Sequence, residues 1–301
     1  MMEYINAHIG EFAALAVALF WTVSALAFES ASRKIGSLSV NIMRLCLGLV
    51  FISLLTVIIR GHLLPFDATR HNWIWLAISG IIGLVLGDYF LFRSYPLIGS
   101  RFAMLIMTLA PPLSAVFAYF ILGESLDIIQ IGGMLIVIMG IAIAIFNKPV
   151  RGERLSIKLS SAGLLFAFIG AIGQALGIVL SKYGMEGYDP FASTQIRIIA
   201  GAAGYSIIIT FLRRWKQVSL SLRNLSAMKA LTLGSFFGPF LGISFSLLSV
   251  KYTEAGIAST IMSITPVLIL APSLWIYKEK INFIEIAGAV LSVAGVALFF
   301  I

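Results

Sequence analysis

The sequence predicts an all-α integral membrane protein of ten transmembrane helices, arranged as two inverted five-helix repeats. Three observations predict it. Of 301 residues, 60% are apolar and only 11% are charged, against about 25% charged in a soluble domain. The apolar residues gather in ten runs, each near the roughly 20 residues that a helix needs to cross a hydrocarbon core. The chain also resembles itself at an offset of 155 positions.

The ten runs lie near 9–30, 37–59, 73–94, 101–122, 127–146, 160–181, 190–212, 227–250, 256–276 and 283–301. They are continuous, whereas the strands of a membrane barrel show about ten residues of strict alternation between turns. The longest polar stretches are Arg60 to Asn72, Asn147 to Lys158 and Arg213 to Arg223, all too short for a soluble domain. The chain therefore divides into a first five-helix unit at 1–147, a basic linker at 148–159 and a second unit at 160–301.

The net charge of +8 reflects orientation in a membrane rather than nucleic-acid binding. Loops on the face that holds the N-terminus carry four cations: Arg60, Arg70, Lys182 and Lys251. The opposite face carries fifteen, from Arg33 and Lys34 through the 148–158 and 213–229 stretches to Lys278 and Lys280. The positive-inside rule then places both termini outside, in a multi-pass protein of the plasma (inner) membrane. Glu3 and Glu11 stand where a secretory signal would be basic, so no cleaved leader is expected. The lone Cys46 cannot form an intrachain disulfide and reads as a small buried side chain.

The repeat is the stronger argument about function. Residues 87–140 lie on 242–295 without a gap, with 14 identities in 54 positions. Shared apolar composition alone would give roughly 4 or 5, so the excess marks a duplication. Matched pairs include Gly87 with Gly242, Ile106-Met107 with Ile261-Met262, Pro111 with Pro266, and Glu124 with Glu279. An offset of 153 adds Arg44 on Arg197 and Gly48 on Gly201. A unit with an odd number of crossings enters the membrane in opposite senses in its two copies. Inverted repeats of this kind belong above all to secondary transporters, whose halves rock around a shared midplane site.

Each half also carries the same closing pattern. A small or polar residue opens a helix, a proline interrupts it, a glutamate ends it, and a glycine-spaced helix follows. The first copy runs Ser100, Pro111, Leu122-Gly123-Glu124, Gly133, Gly140; the second runs Ala255, Pro266, Lys278-Glu279, Gly288, Gly295. With Arg44 and Arg197 near the start of each second helix and Trp21 in the first, this resembles the EamA-like domains of the drug/metabolite transporter superfamily. The resemblance implies ten helices, a central cavity between the halves, and export of metabolites such as amino acids.

Asp88 is the most informative single residue. A carboxylate in mid-span must face the bundle interior, pair or protonate, so it is a candidate proton carrier, or else a static partner of Arg93 or Arg101. Arg44 and Arg197 can snorkel to the interface, and their presence in both copies favours a scaffold or gate. Glu124 and Glu279 precede the next helix, where an acid satisfies free backbone amides. Pro111, Pro266 and Pro239 are helix breaks. Interruptions at matching positions of two halves point to a binding site, which places the cavity beside Met107, Thr108, Ser263 and Thr265. Trp21, Ser24, Gln174 and Ser235 are further mid-span candidates for its lining, and Gly170, Gly173 and Gly177 read as close-packing positions.

The three histidines, His8, His62 and His71, sit near the membrane surfaces without a metal constellation, and no phosphate-binding Gly-Lys-Ser/Thr loop is present. No catalytic residues, metal or cofactor are expected. The expected partners are the bilayer and a small-molecule substrate, with monomer and homodimer both open. The competing classes are a membrane-embedded enzyme acting on lipid-linked substrates, which needs an interfacial cluster of acids, histidines or serines, and a non-transporting scaffold, which needs no inverted repeat.

Overall fold

The computed structural model describes residues 7–146, 160–268 and 283–300, and no strand occurs among them. Helix α1 (Ile9–Ile35) turns into α2 (Ser37–Arg60) at Gly36, whose φ of 79° a side chain would resist. Helix α3 (Arg70–Gly80) passes through a π-turn at Ile81–Gly87 into α4 (Asp88–Met107). After a break come α5 (Ala110–Leu122) and α6 (Ile128–Phe146).

The second half follows the same order. It opens with α7 (Ser161–Gly184) and α8 (Pro190–Phe211), then the short α9 (Trp215–Ser221). Next is α10 (Leu225–Ser235), which enters a π-turn at Phe236–Gly242 and continues as α11 (Ile243–Tyr252). Helices α12 (Ala255–Met262), α13 (Thr265–Leu268) and α14 (Phe283–Ala297) complete it, with a 3-10 turn at Leu298–Phe300.

The 155-residue offset read from sequence aligns these elements residue for residue. It carries α3 onto α10 and the π-turn at Ile81–Gly87 onto that at Phe236–Gly242. It also carries the break after Met107 onto the break after Met262. A π-turn is rare and concentrates at functional sites. Pro239 lies inside the second π-turn, but its mate is Leu84, so proline alone does not make the feature.

One expectation about the helices changes. The loop expected between the third and fourth runs is helical, because α4 continues unbroken from Asp88 to Met107. Its mate does break, at the extended Thr253, where Lys182 takes the Thr253 carbonyl at 2.7 Å and the Thr253 hydroxyl donates to Glu11 at 2.8 Å. Six described helices are long and apolar enough to cross a membrane, with three shorter apolar ones at Ala110–Leu122, Ile128–Ile143 and Ile286–Phe300.

The burial pattern differs from that of a water-soluble protein, because large apolar side chains cover the outside as well as fill the core. Ile58, Ile128 and Phe211 are 81%, 83% and 89% exposed, while Ser79, Ser94, Ser235 and Thr260 are fully buried. Lipid accepts the first set. The hydroxyls are satisfied inside their own helices, as where Ser235 donates to the Leu231 carbonyl at 2.7 Å. Cys46 lies on the exposed face of α2 rather than in the core, since the apolar run around it faces lipid as well as protein.

A row of small residues lets α7 lie against the α3–α4 rod. A Cβ on Gly173 would come 2.8 Å from the Gly87 Cα, and one on Gly177 the same distance from the Gly83 Cα. The closing pair, α6 and α14, meets as tightly: a Cβ on Gly140 would lie 2.5 Å from the Ser292 nitrogen.

Candidate functional site

The first π-turn delivers Asp88 to a buried polar cluster made by both repeats. An ionised group at mid-membrane costs roughly 2.5–3.5 kcal/mol on insertion scales, so its partners matter. Arg44 of α2 donates from Nη2 to Asp88 Oδ2 in an ion pair. Gln174 of α7 donates from Nε2 to Asp88 Oδ1 at 2.7 Å and to the Gly83 carbonyl at 3.3 Å. Gly87 makes this possible, because a Cβ there would sit 3.3 Å from both Gln174 nitrogens.

The static partner expected for Asp88 is therefore Arg44 and not Arg93, which bonds the Tyr89 hydroxyl at 3.0 Å instead. The side chain of Arg101 lies outside the described residues. Nor does Arg44 snorkel: an acid within reach inside the bundle outcompetes the distant interface. Its guanidinium also lies 5.7 Å from the centre of the Phe28 ring.

Arg197 of α8 is buried too, at 5% exposure. It packs against the end of α3 and the first π-turn, where glycines leave room, since a Cβ on Gly83 would come 3.4 Å from its Nη2 and one on Gly80 2.5 Å from its carbonyl oxygen. Asp88 is within electrostatic reach of it, and buried Tyr205 lies within reach of Asp88 and Arg44. Sequence reasoning missed Tyr205. The available signal was a hydroxyl-bearing aromatic two turns beyond Arg197 on the same helix.

The other candidates fall elsewhere. Trp21 and Ser24 of α1 face the second π-turn: a Cβ on Gly242 would meet Trp21 Nε1 at 2.5 Å, and one on Gly238 would meet the Ser24 Cβ at 3.2 Å. Thr265 approaches the same helix, donating to the Ala18 carbonyl at 3.5 Å and to that of Met262 at 2.8 Å. Ser263 donates to the Thr260 carbonyl at 2.7 Å. Ser235 is spent on its own helix. Thr108 is buried at the break after α4, and Met107 packs with Leu91, Ile98, Ala103 and Ala167. The expected breaks are present, but they fall at 108–109 and 263–264, two residues ahead of Pro111 and Pro266. Pro111 sits in the first turn of α5, where its missing N–H costs nothing.

Glu124 also differs from its expected role. It accepts from the Ala255 nitrogen at 2.8 Å and pairs with Lys182, so it caps α12 of the other repeat. The helix that follows it is capped instead by Asp127, which accepts from the Gln130 nitrogen at 2.8 Å. The mate, Glu279, lies outside the described residues.

Fold and site together define a multi-pass membrane protein built of two repeats, with paired mid-span helix interruptions and a buried charged cluster at one of them. The chain belongs to the EamA-like transporter family, whose model matches it twice, over residues 8–146 and 161–301. It is 26% identical over 254 residues to an uncharacterised transporter of Bacillus subtilis, covering 83% of this chain and 80% of that one. It is 21% identical to a WAT1-related chloroplastic protein of Arabidopsis thaliana, over 93% of this chain and 66% of that one. One solved crystal structure superposes with a TM-score of 0.77 at 20% identity, covering 98% of this chain and 96% of that one. The family and these relatives indicate a transporter rather than an enzyme.

Proposed function

We propose that this chain is a secondary transporter that exports small organic metabolites, such as amino acids, by alternating access through a central cavity between its two inverted repeats. In this reading it crosses the plasma (inner) membrane ten times with both termini outside. The rings of His8 and Phe12 lie 5.5 and 5.3 Å from that of Phe300, which supports an even number of crossings. Proton coupling, where it operates, runs through Asp88.

One observation carries the proposal. Both halves interrupt the same helix at the same residues, Ile81–Gly87 and Phe236–Gly242, and at the first of these a carboxylate from one repeat is held by an amide from the other. A bundle selected only for stability has no use for a charged cross-repeat contact beside a helix defect, whereas halves that rock past one another need joints of that kind. Glu124, Lys182 and Thr253 supply a closure on the N-terminal face, again between the repeats.

The test is solute counterflow in proteoliposomes holding the full chain, assayed with a panel of labelled amino acids. Accumulation of one of them above that in protein-free vesicles supports the reading. No flux of any panel member contradicts it.

A further inference from the structure

The buried cluster is unbalanced in charge. Arg44 and Arg197 supply two guanidiniums, while Asp88 supplies one carboxylate. Asp88 is already engaged on both oxygens, by Arg44 and by Gln174. Arg197 is only 5% exposed, yet its side chain makes no hydrogen bond or close ion pair with any described residue, and its Nε is enclosed without an acceptor.

The duplication explains the imbalance. Arg44 and Arg197 are repeat mates, and the mate of Asp88 is Ile243. The first half carries its own counter-ion at the start of α4, and the second half has an isoleucine at the start of α11. A guanidinium presents five N–H donors in a planar fork whose natural complement is a carboxylate. In the membrane interior it is costly without one. The small residues Gly80, at the end of α3, and Gly83, in the π-turn, keep the surface facing Arg197 close to bare backbone.

We propose, on the transport reading above, that Arg197 binds a carboxylate of the transported solute, in the role that Asp88 fills for Arg44. One solute carboxylate brings the cluster from +1 to neutral. A dicarboxylate overshoots, and a cation without a carboxylate is repelled. The solutes selected are thus monocarboxylates, amino acids included, and their amides are rejected.

The test is thermal unfolding of the purified full-length protein with sodium propionate, against propionamide, sodium chloride and sodium succinate at matched ionic strength. Propionate is expected to stabilise the wild type by mass action, and the other three to do so less. Arg197→Gln is expected to raise the half-saturating propionate concentration about tenfold or more, the scale of a lost charged hydrogen bond. Arg197→Lys keeps the charge without the fork and should fall between. Protection by chloride or propionamide equal to that by propionate overturns the carboxylate site, and equal protection by succinate overturns its restriction to one carboxylate. If Arg197→Gln does not fold, the wild-type comparison and Arg197→Lys still decide. Protection needs no flux. Its absence in a protein that moves amino acids removes this site alone, and its presence in a protein that moves nothing removes the transport reading.

Discussion

Gln174 donates to Asp88 at 2.7 Å, so an amide of the second repeat holds the carboxylate that neutralises Arg44 in the first. The bond ties α7 to the residue that follows the π-turn, and any movement of one repeat against the other must stretch it. Trp21, which the 153-residue offset places on Gln174, meets Gly242 at the other π-turn, whereas Gln174 meets Gly87. The same joint therefore occurs twice, as an aromatic contact in one half and a charged one in the other.

Removing the acid should leave Arg44 buried and alone. Asp88→Asn is expected to destabilise the protein by about 3–5 kcal/mol, the usual cost of breaking a buried pair from one side. The double variant Arg44→Gln with Asp88→Asn should recover part of that loss. Thermal unfolding of the four proteins in a double-mutant cycle measures the coupling.

The glycines divide by what faces them. Gly140→Ala places a Cβ 2.5 Å from the Ser292 nitrogen and 2.7 Å from the Gly288 carbonyl, so α6 and α14 must separate, at about 1–3 kcal/mol. Gly132→Ala meets nothing within 4 Å and should be neutral or stabilising by up to about 1 kcal/mol through helix propensity. The midpoints of thermal unfolding for the two variants should move in opposite directions or differ clearly in size.

The closure on the N-terminal face depends on Glu124, which both caps α12 and pairs with Lys182. Glu124→Ala should favour opening on that face. In a Cys46→Ser background, a cysteine at Ser259, one turn into α12, should react faster with a membrane-impermeant thiol reagent once Glu124 is replaced. An unchanged rate would show that this contact does not hold the face shut.

A surface cluster should titrate. Asp67 accepts from the Tyr188 hydroxyl at 2.9 Å and pairs with Arg60. Burial acts to raise its carboxyl, but these donors outweigh it and hold the group below the ordinary carboxylate range. The lowered pKa means the cluster stabilises above about pH 4 and fades as pH falls through the folded value. Asp67→Asn should flatten the acid limb of the stability profile, with a small amplitude because the side chain is 42% exposed.

Much of the architecture was legible because a duplication is a statement about structure. The offset that aligns Gly87 with Gly242 also aligns the two π-turns and the two breaks. Partners across helices were not legible. Arg44 and Asp88 stand 44 residues apart and meet only because α2 packs beside the π-turn, so nearer arginines looked better. Glu124 caps a helix 131 residues away for the same reason. The continuity of α4 through Pro96 was not legible either, because a proline inside a helix leaves a carbonyl unpaired and is ordinarily disfavoured there.

The central claim, export through a site shared by the repeats, is tested most directly by profiling the medium of a bacterial host that overproduces the chain. The controls are Asp88→Asn and an empty vector. The account predicts that an amino acid or related monocarboxylate accumulates outside with the wild type, and much less with Asp88→Asn at equal membrane abundance. Equal accumulation from both proteins would contradict the role given to the Asp88 cluster, and no change in the medium from either would contradict export of host metabolites.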